Sequence, residues 1–357
     1  MSIVSTMADR HPPLSVSDPV VRVVECRDRD AWDRYALENA GLFHRWDWDD
    51  VFRVYRLPVR RLAAWRDERI VGVLPLVQQR SRLFGNHLVS LPWFDAAGVA
   101  ADDVAAAEAL IEAAQSFRVS IRGETIQLRQ DHEAGISPYC RNDKVLMRLR
   151  LPGDAEQLWD GLKPKVRNQA RKAEKAGLAV NSGGVELLPE FFDVYSRNMR
   201  DLGSPSHSLR FFRAICEAFA AEVRLWTVSL SGNTIGAGFT MNNGSVLEIP
   251  WASSLREHGS LCVNHLMYWR ILEFACRAGF EWFHFGRSTV DSGPYRFKKQ
   301  WGAEAVPLSW YFLGAEHAAA EAAHDPGERF GLAQQVWSRL PLCVSRRLGP
   351  FLISKLA

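Results

Sequence analysis

The sequence predicts an α/β (α+β) protein built from two copies of one domain, each a mixed, mostly antiparallel sheet flanked by helices, with a helical tail at the C-terminus. Three observations carry this. The chain has 357 residues, more than one hydrophobic core usually fills, so two domains of about 150 residues are the natural division. Hydrophobic residues make up 47% and charged residues 24%, ordinary globular values that exclude a disordered, collagenous or coiled-coil chain. The pattern of 61–77, RLAAWRDERIVGVLPLV, also returns at 224–241, RLWTVSLSGNTIGAGFTM. Each is an apolar run, a polar turn and a second apolar run, the latter carrying Val71-Gly72 or Ile235-Gly236. Two short β-rich runs joined by turn residues make a hairpin, and meeting the same hairpin twice points to a duplicated domain.

The elements follow in order. Residues 1–19 hold Asp9, His11, Asp18 and no apolar run, so a flexible segment without a secretory signal is expected. The first domain, 20–151, opens with a strand at Val20–Cys26 and a helix that Asp28 or Asp30 starts and that reaches Asn39. After the first hairpin come a strand at Leu88–Leu91, a helix over 102–116 and strands near 123–129 and 144–151. The second domain, 152–315, begins at Pro152-Gly153-Asp154 with a helical connection into a basic segment. A helix at 188–201 precedes the second hairpin, and a strand at Val246–Ala252 follows it. A loop, Ser253–Gly259, then leads to a helix from a Ser260 cap to Gly279. Strands at 281–286 and 306–313 complete the domain, and 316–357 form an amphipathic tail.

Charge and cysteine usage narrow the class. With 44 Lys+Arg against 41 Asp+Glu the formal charge is +3, too balanced for a nucleic-acid or lipid footprint over the whole surface. The 6 cysteines stand far apart, without C-x-x-C pairs or histidines at ligand spacing, so they read as small buried hydrophobes and no metal site is expected. No apolar stretch of about 18 residues is present to span a bilayer. A cytoplasmic protein is expected, with membrane-peripheral contact through 331–357, where Arg339, Arg346, Arg347 and Lys355 stand among apolar residues without an acid. Docking of that tail on its own domain is the other reading.

Three regions offer chemistry. In KPKVRNQARKAEKAG, 163–177, Arg167, Arg171 and Lys175 recur at i, i+4, i+8 and form one positive stripe, either a solvated face or a site for a phosphate-bearing ligand. The strand–loop–helix from Val246 aims backbone N–H groups at whatever binds there. Finally HFGRSTVDSGPYRFKKQWGAE, 284–304, packs Arg287, Arg296, Lys298 and Lys299 among Tyr295, Phe297 and Trp301, a density read either as a site or as an aromatic cluster sealing the sheet.

VRNQARKAEKAG at 166–177, HFGRS at 284–288 and YRFKKQWGAE at 295–304, with FHRWDWDDVF at 43–52 and the run 70–93, resemble the FemAB-like branch of the GNAT acyltransferase superfamily. The likeness is strongest to FemAB-related proteins of exopolysaccharide and PEP-CTERM systems. It covers roughly 20–315 and implies two tandem GNAT-like domains and transfer of an acyl or aminoacyl group to an amine. FemAB proteins use aminoacyl-tRNA on peptidoglycan precursors, and other superfamily members use acyl-CoA. No bound cofactor is implied, only a co-substrate, aminoacyl-tRNA or an acyl-CoA-type carrier. The acceptor would be an amine of a cell-envelope or exopolysaccharide precursor. At the diphosphate loop of the CoA-using pattern, Arg256 and Gly259 match while Leu261 replaces a small residue.

Amide formation needs an unprotonated amine. Glu248, mid-strand among apolar neighbours, is the expected base, or else a structural partner of an arginine. His258 is a second choice, and Tyr295 is a candidate for protonating the leaving group. Arg287, Ser288, Lys298, Lys299 and Trp301 are expected to bind substrate or phosphate, with Arg167 and Arg171 outside them and Arg256 and Gly259 in the loop. No Ser-His-Asp order or activated cysteine is evident, so direct attack on the donor is expected. Two further readings stand beside this one: an acyl-CoA-dependent N-acetyltransferase, and a non-catalytic binding subunit of a polysaccharide assembly system.

Overall fold

A computed structural model describes residues 20–82, 84–324 and 331–356; the expected flexibility of 1–19 lies outside the described residues. The strands, in chain order, are Arg22–Glu25 (β1), Val59–Arg66 (β2), Arg69–Ser81 (β3), Gly85–Val89 (β4), Ala100–Ala101 (β5), Thr125–Gln130 (β6), Cys140–Arg141 (β7) and Lys144–Arg150 (β8). They continue with Leu178–Gly183 (β9), Val223–Leu230 (β10), Asn233–Asn243 (β11), Val246–Ser254 (β12), Trp282–Thr289 (β13), Glu304–Pro307 (β14) and Ser309–Gly314 (β15). One sheet has the order β1-β2-β3-β4-β6-β15-β7 with β5 beside β3, and the other β14-β8-β13-β12-β11-β10-β9.

The two sheets repeat one plan. An edge strand pairs with a hairpin, a third antiparallel strand follows, and after a helix the next strand pairs parallel to it, β4 with β6 and β12 with β13. The hairpins are those read from the sequence. At the second, Ser231 and Gly232 both take positive φ (49° and 81°), as a two-residue turn matched to strand twist demands. The repeated glycines let a helix press on each hairpin. A Cβ at Gly236 would stand 2.5 Å from Val263 of the helix Val263–Arg277, and one at Gly72 would stand 3.0 Å from Leu110 of the helix Val104–Ser120.

Caps fix the helix starts where short polar side chains precede apolar periodicity. Asp28 accepts from Ala31 N, Asp103 from Ala106 N, Asp154 from Gln157 N and Ser292 from Tyr295 N. Ser260 does not cap as expected. Residues Arg256–Leu261 form a 3-10 turn, and the next helix starts from Cys262 in the left-handed region (φ 59°).

The sheets do not part at the expected border of 151/152. Strand β8, from the end of the first half, lies in the second sheet, and β15, near the end of the second half, completes the first. The single strand expected at 306–313 is therefore two, β14 and β15, in different sheets with Leu308 buried between them. This exchange joins the halves, and their apolar faces merge into one core in which Trp48 meets Phe219 at 4.6 Å and Phe94 meets Trp251 at 5.6 Å. All six cysteines are free; Cys26, Cys216 and Cys276 are buried as expected, but Cys140 and Cys262 are only partly buried and Cys343 is exposed. No helix among the described residues is long and apolar enough to cross a membrane.

Candidate active site

The site begins with two irregularities in the second sheet. From Glu248 to Trp251, β12 spends three steps against two on β11, because Glu248 pairs with Met241 and Trp251 with Phe239. That is a bulge, and Pro250, which has no N–H to donate, sits inside it. From His284 to Arg287, β13 likewise spends three steps against two on β8, and Gly286 within this second bulge holds φ +74°. The parallel pairing of β12 with β13 stops at this level, after Glu248 and His284. Beyond it the strands part, and the edges they would have paired face a wedge.

Glu248 stands at the corner where the strands separate. Its side chain is 17% exposed and borders two cavities. One, of about 1250 Å³, lies between the halves and is lined by Asp95, Arg129 and Asp131 of the first and Asn243, Glu248 and His284 of the second. The other, of about 260 Å³, is the wedge itself. Burial, aided by the charges of Asp95 and Asp131, pushes the Glu248 carboxyl up to about 7 against a hydrogen bond from Asn243 that pulls it down. Asn243 Nδ2 donates to Glu248 Oε1 at 3.1 Å, while its Oδ1 accepts from Leu42 N at 2.9 Å, tying the carboxylate to the first half. Gly41 is needed there, since a Cβ would lie 2.6 Å from Asn243 Oδ1 and its φ is +86°. His284 Nδ1 is 3.7 Å from Glu248 Oε1, too long for a hydrogen bond, and burial drives the imidazole down to about 4, so it is neutral near pH 7.

Asp95 clamps the second bulge from the first half. Its Oδ2 accepts from Arg287 N and its Oδ1 from Arg287 Nη1, both at 2.8 Å, and its carbonyl accepts from Trp310 Nε1 at 3.0 Å. Lys298 reaches in from the helix Gly293–Lys299 and donates to Gly286 O at 2.9 Å and Arg287 O at 2.8 Å, carbonyls displaced by the bulge. Burial lowers this ammonium to about 8. Below them, the buried Arg129 guanidinium lies over Trp310 at 4.2 Å and donates to Phe94 O at 2.7 Å.

The sequence-predicted residues therefore divide. Glu248, Arg287 and Lys298 meet at the wedge. Lys298, however, is buried with its ammonium held by two backbone carbonyls, and Arg287 is engaged by Asp95, so the expected phosphate-binding role is corrected for both to a structural hold on the bulge. Trp301 is 2% exposed and packs against His265 and Tyr268, so it is core, not a binding surface. Ser288 is buried, and its Oγ has no hydrogen-bond partner among the described residues. Tyr295 and Lys299 pair with each other at 3.4 Å on the outer helix, and Tyr295 borders neither cavity of Glu248. His258 lies past the far end of β12, beside a separate surface cleft with Ser231 and Arg197.

Arg256 donates to Asp201 O at 3.3 Å, and Gly259 faces open space. Leu261 packs on the core instead of standing over the loop. On the helix Pro164–Lys175, Val166, Ala170 and Ala173 are buried, Arg167 lies 3.7 Å from Asp160, and Arg171 sits 5.3 Å over Trp159. Sequence reasoning missed Asp95, Asn243 and His284. His284 lay within a quoted motif, and Asp95 was marked only as an acid in the otherwise apolar run PWFDAAG. Among the described residues no cluster of three or more His, Cys, Asp or Glu is placed to hold a metal.

Comparison with known proteins agrees with this geometry. Residues 162–299 match the family described as acetyltransferase (GNAT) domain, a span that contains both bulges. No curated protein matches the chain by sequence. Among solved structures, that of FemX is similar at a TM-score of 0.63 and 14% identity, covering 88% of this chain and 100% of that one. L-PGS from Bacillus licheniformis is similar at 0.53 and 10% identity over 88% and 99%. A tandem GNAT protein from the clavulanic acid biosynthesis pathway follows at 0.51 and 13% over 82% and 98%. At such identities the likeness is one of fold, two GNAT-like units in tandem.

Proposed function

We propose, from the match of residues 162–299 to a GNAT acetyltransferase domain, that the protein is an N-acyltransferase of the FemAB-like branch. It moves an acyl or aminoacyl group from a carrier, aminoacyl-tRNA or an acyl-CoA-type donor, to an amine of a cell-envelope or exopolysaccharide precursor. The observation that carries this reading is that two carboxyl groups, Asp95 and Glu248, border both the large cavity between the halves and the wedge between β12 and β13, and that Asp95 is held by Arg287 while the Glu248 carboxyl is raised by burial to about 7.

The amine enters the large cavity as an ammonium, since amines titrate at about 8 to 10.4. Glu248, held near 7, takes its proton at low driving-force cost. The freed nitrogen attacks the acyl carbonyl carbon in the wedge, and a C–N bond forms. Backbone N–H groups at the parted edges of the strands receive the oxyanion, each donor being worth about 3 kcal/mol of barrier. As the oxyanion collapses, the bond to the carrier's oxygen or sulfur breaks. The departing atom takes the proton that Glu248 had accepted, the carboxylate is restored, and the nitrogen releases its second proton to solvent in the large cavity, leaving the neutral amide.

Arg171, Arg256 and Lys299, all exposed, are suited to the carrier's phosphates as outer contacts. An acyl-CoA donor is favoured by one feature: the helix Val263–Arg277 starts without a side-chain cap, next to the open Gly259. The outer face of the tail supports contact with an anionic membrane, where a lipid-linked acceptor would lie.

Mass-spectrometric transfer assays with acetyl-CoA and aminoacyl-tRNA as donors and UDP-amino sugars as acceptors test the reading. Wild type should form an amide product, and Glu248→Gln should slow it by 10²-fold or more at unchanged fold. Full activity in Glu248→Gln would remove this site from the chemistry.

A further inference from the structure

Glu248 does not set its own position. Across the β11–β12 hairpin Asn243 pairs with Val246 and Met241 with Glu248, so Asn243 and Glu248 are diagonal neighbours on one face of the sheet, within side-chain reach. Asn243 Nδ2 donates to Glu248 Oε1 at 3.1 Å, the one hydrogen bond to this carboxyl among the described residues. Oε2 is thereby left for an incoming ammonium. On the other side of the amide, Asn243 Oδ1 accepts from Leu42 N at 2.9 Å. A backbone N–H can only donate, so turning the amide over would set Nδ2 against Leu42 N, donor against donor. Leu42 opens the 3-10 turn Leu42–His44, where the first N–H groups have no partner within the turn. It is fixed in place, because its side chain is buried and its carbonyl accepts from Trp48 Nε1 at 3.0 Å. The other charged and titratable groups around Glu248 are engaged elsewhere. Asp95 is held by Arg287 at 2.8 Å, Asp131 pairs with His132 at 2.8 Å, and Lys298 and Arg129 donate to backbone carbonyls. His284 stands 3.7 Å away.

We propose that Asn243 is a positioning residue: oriented by Leu42 N of the first half, it holds Glu248 Oε1 and leaves Oε2 to take the proton of the amine, so that the base is set only when the two halves are docked. The inference rests on the acyl-transfer reading and gives the first half a part in it.

Two substitutions of Asn243 separate this role from a structural one. They are read on the full chain by NMR of glutamate labelled with carbon-13 at Cδ, the Glu248 signal being the one lost in Glu248→Gln. Asn243→Asp keeps an acceptor for Leu42 N but puts a like charge where the donor stood, so the Glu248 titration should rise by about one pH unit or more. The climb of kcat/KM with pH should move up with it. Asn243→Leu removes donor and acceptor together. It should also raise the titration, and at pH 5, where Glu248 is protonated, it should melt several degrees below Asn243→Asp because Leu42 N is left unpaired. A Glu248 titration unchanged in Asn243→Asp overturns the proposal, and equal melting of the two variants overturns the part given to Leu42 N. A titration that moves as expected, with no amide formed by wild type from any donor, supports the positioning contact and removes the acyl-transfer reading instead.

Discussion

At Glu248 the surroundings that make the carboxyl reactive also make it costly. Because its titration is raised to about 7, kcat/KM should climb with pH through that value as the base form appears, and in Glu248→Gln the climb should vanish from the residual rate. Stability runs the other way. The folded-state value lies above the unfolded 4.5, so the native state holds the extra proton, and the group's favourable contribution is complete below pH 4.5 and lost as pH rises through 7. Urea unfolding should therefore find Glu248→Gln gaining on wild type between pH 5 and 8.5, by up to about 3 kcal/mol. His207 has the opposite sign. It is buried and stacked on Phe211 at 4.0 Å, and desolvation brings it down to about 3, so the unfolded chain binds a proton that the native state refuses. Stability is lost as pH falls from 6.5 toward 3, and His207→Phe should flatten that acid limb in thermal melts.

At the scale of elements, the wedge depends on two strands bulging at the same level. Gly286 holds its bulge at φ +74°, and a Cβ there would meet nothing closer than 3.6 Å. Gly286→Ala should therefore cost backbone strain of about 1–2 kcal/mol, read by denaturant unfolding, and lower kcat more than it raises KM, because the oxyanion donors shift with the strand. A loss of stability at unchanged kcat would detach the bulge from the chemistry.

These elements also show what was legible in the sequence. The hairpins, their glycines and the helix starts at Asp28 and Asp154 were readable because each is a local pattern with one backbone solution, whereas the Ser260 cap does not form. The exchange of β8 and β15 was not, because strand order depends on contacts between residues far apart in the chain. For the same reason the burial of Glu248 was legible in its apolar neighbours, whereas Asp95, its counterpart across the proposed site, touches Arg287 only after both halves have folded. The cations of 287–299 misled in part, because charge density does not say which side chain turns inward to a carbonyl, as Lys298 does.

Across the whole molecule, the tail docks by one face, and the proposed membrane contact falls to the other. Inward, the helix Leu342–Ile353 lies against the 206 loop so closely that a Cβ at Gly349 would stand 2.8 Å from Ser206 N and O. Arg346 pairs with Asp193 at 2.5 Å, and the chain beyond closes on the first half, where Trp93 Nε1 donates to Ile353 O at 3.2 Å. Outward, Leu348 and Phe351 of this helix are 45% and 66% exposed, with Arg347 exposed beside them, and Leu332 and Val336 of the preceding helix Gly331–Ser338 are 81% and 65% exposed. A helix pinned by one face and apolar and basic on the other fits an anionic bilayer surface without leaving its dock. Two substitutions separate the faces. Phe351→Asp, out in solvent, should leave the melting temperature within about 1 °C, given that exposed changes are usually within about 0.5 kcal/mol, yet abolish flotation with vesicles containing phosphatidylglycerol. Gly349→Leu should instead lift the helix, uncover Trp93 and lower the melting temperature by several degrees, since ~1 kcal/mol shifts a chain of this size by about 2–4 °C. Undiminished flotation of Phe351→Asp would confine the tail to its intramolecular dock.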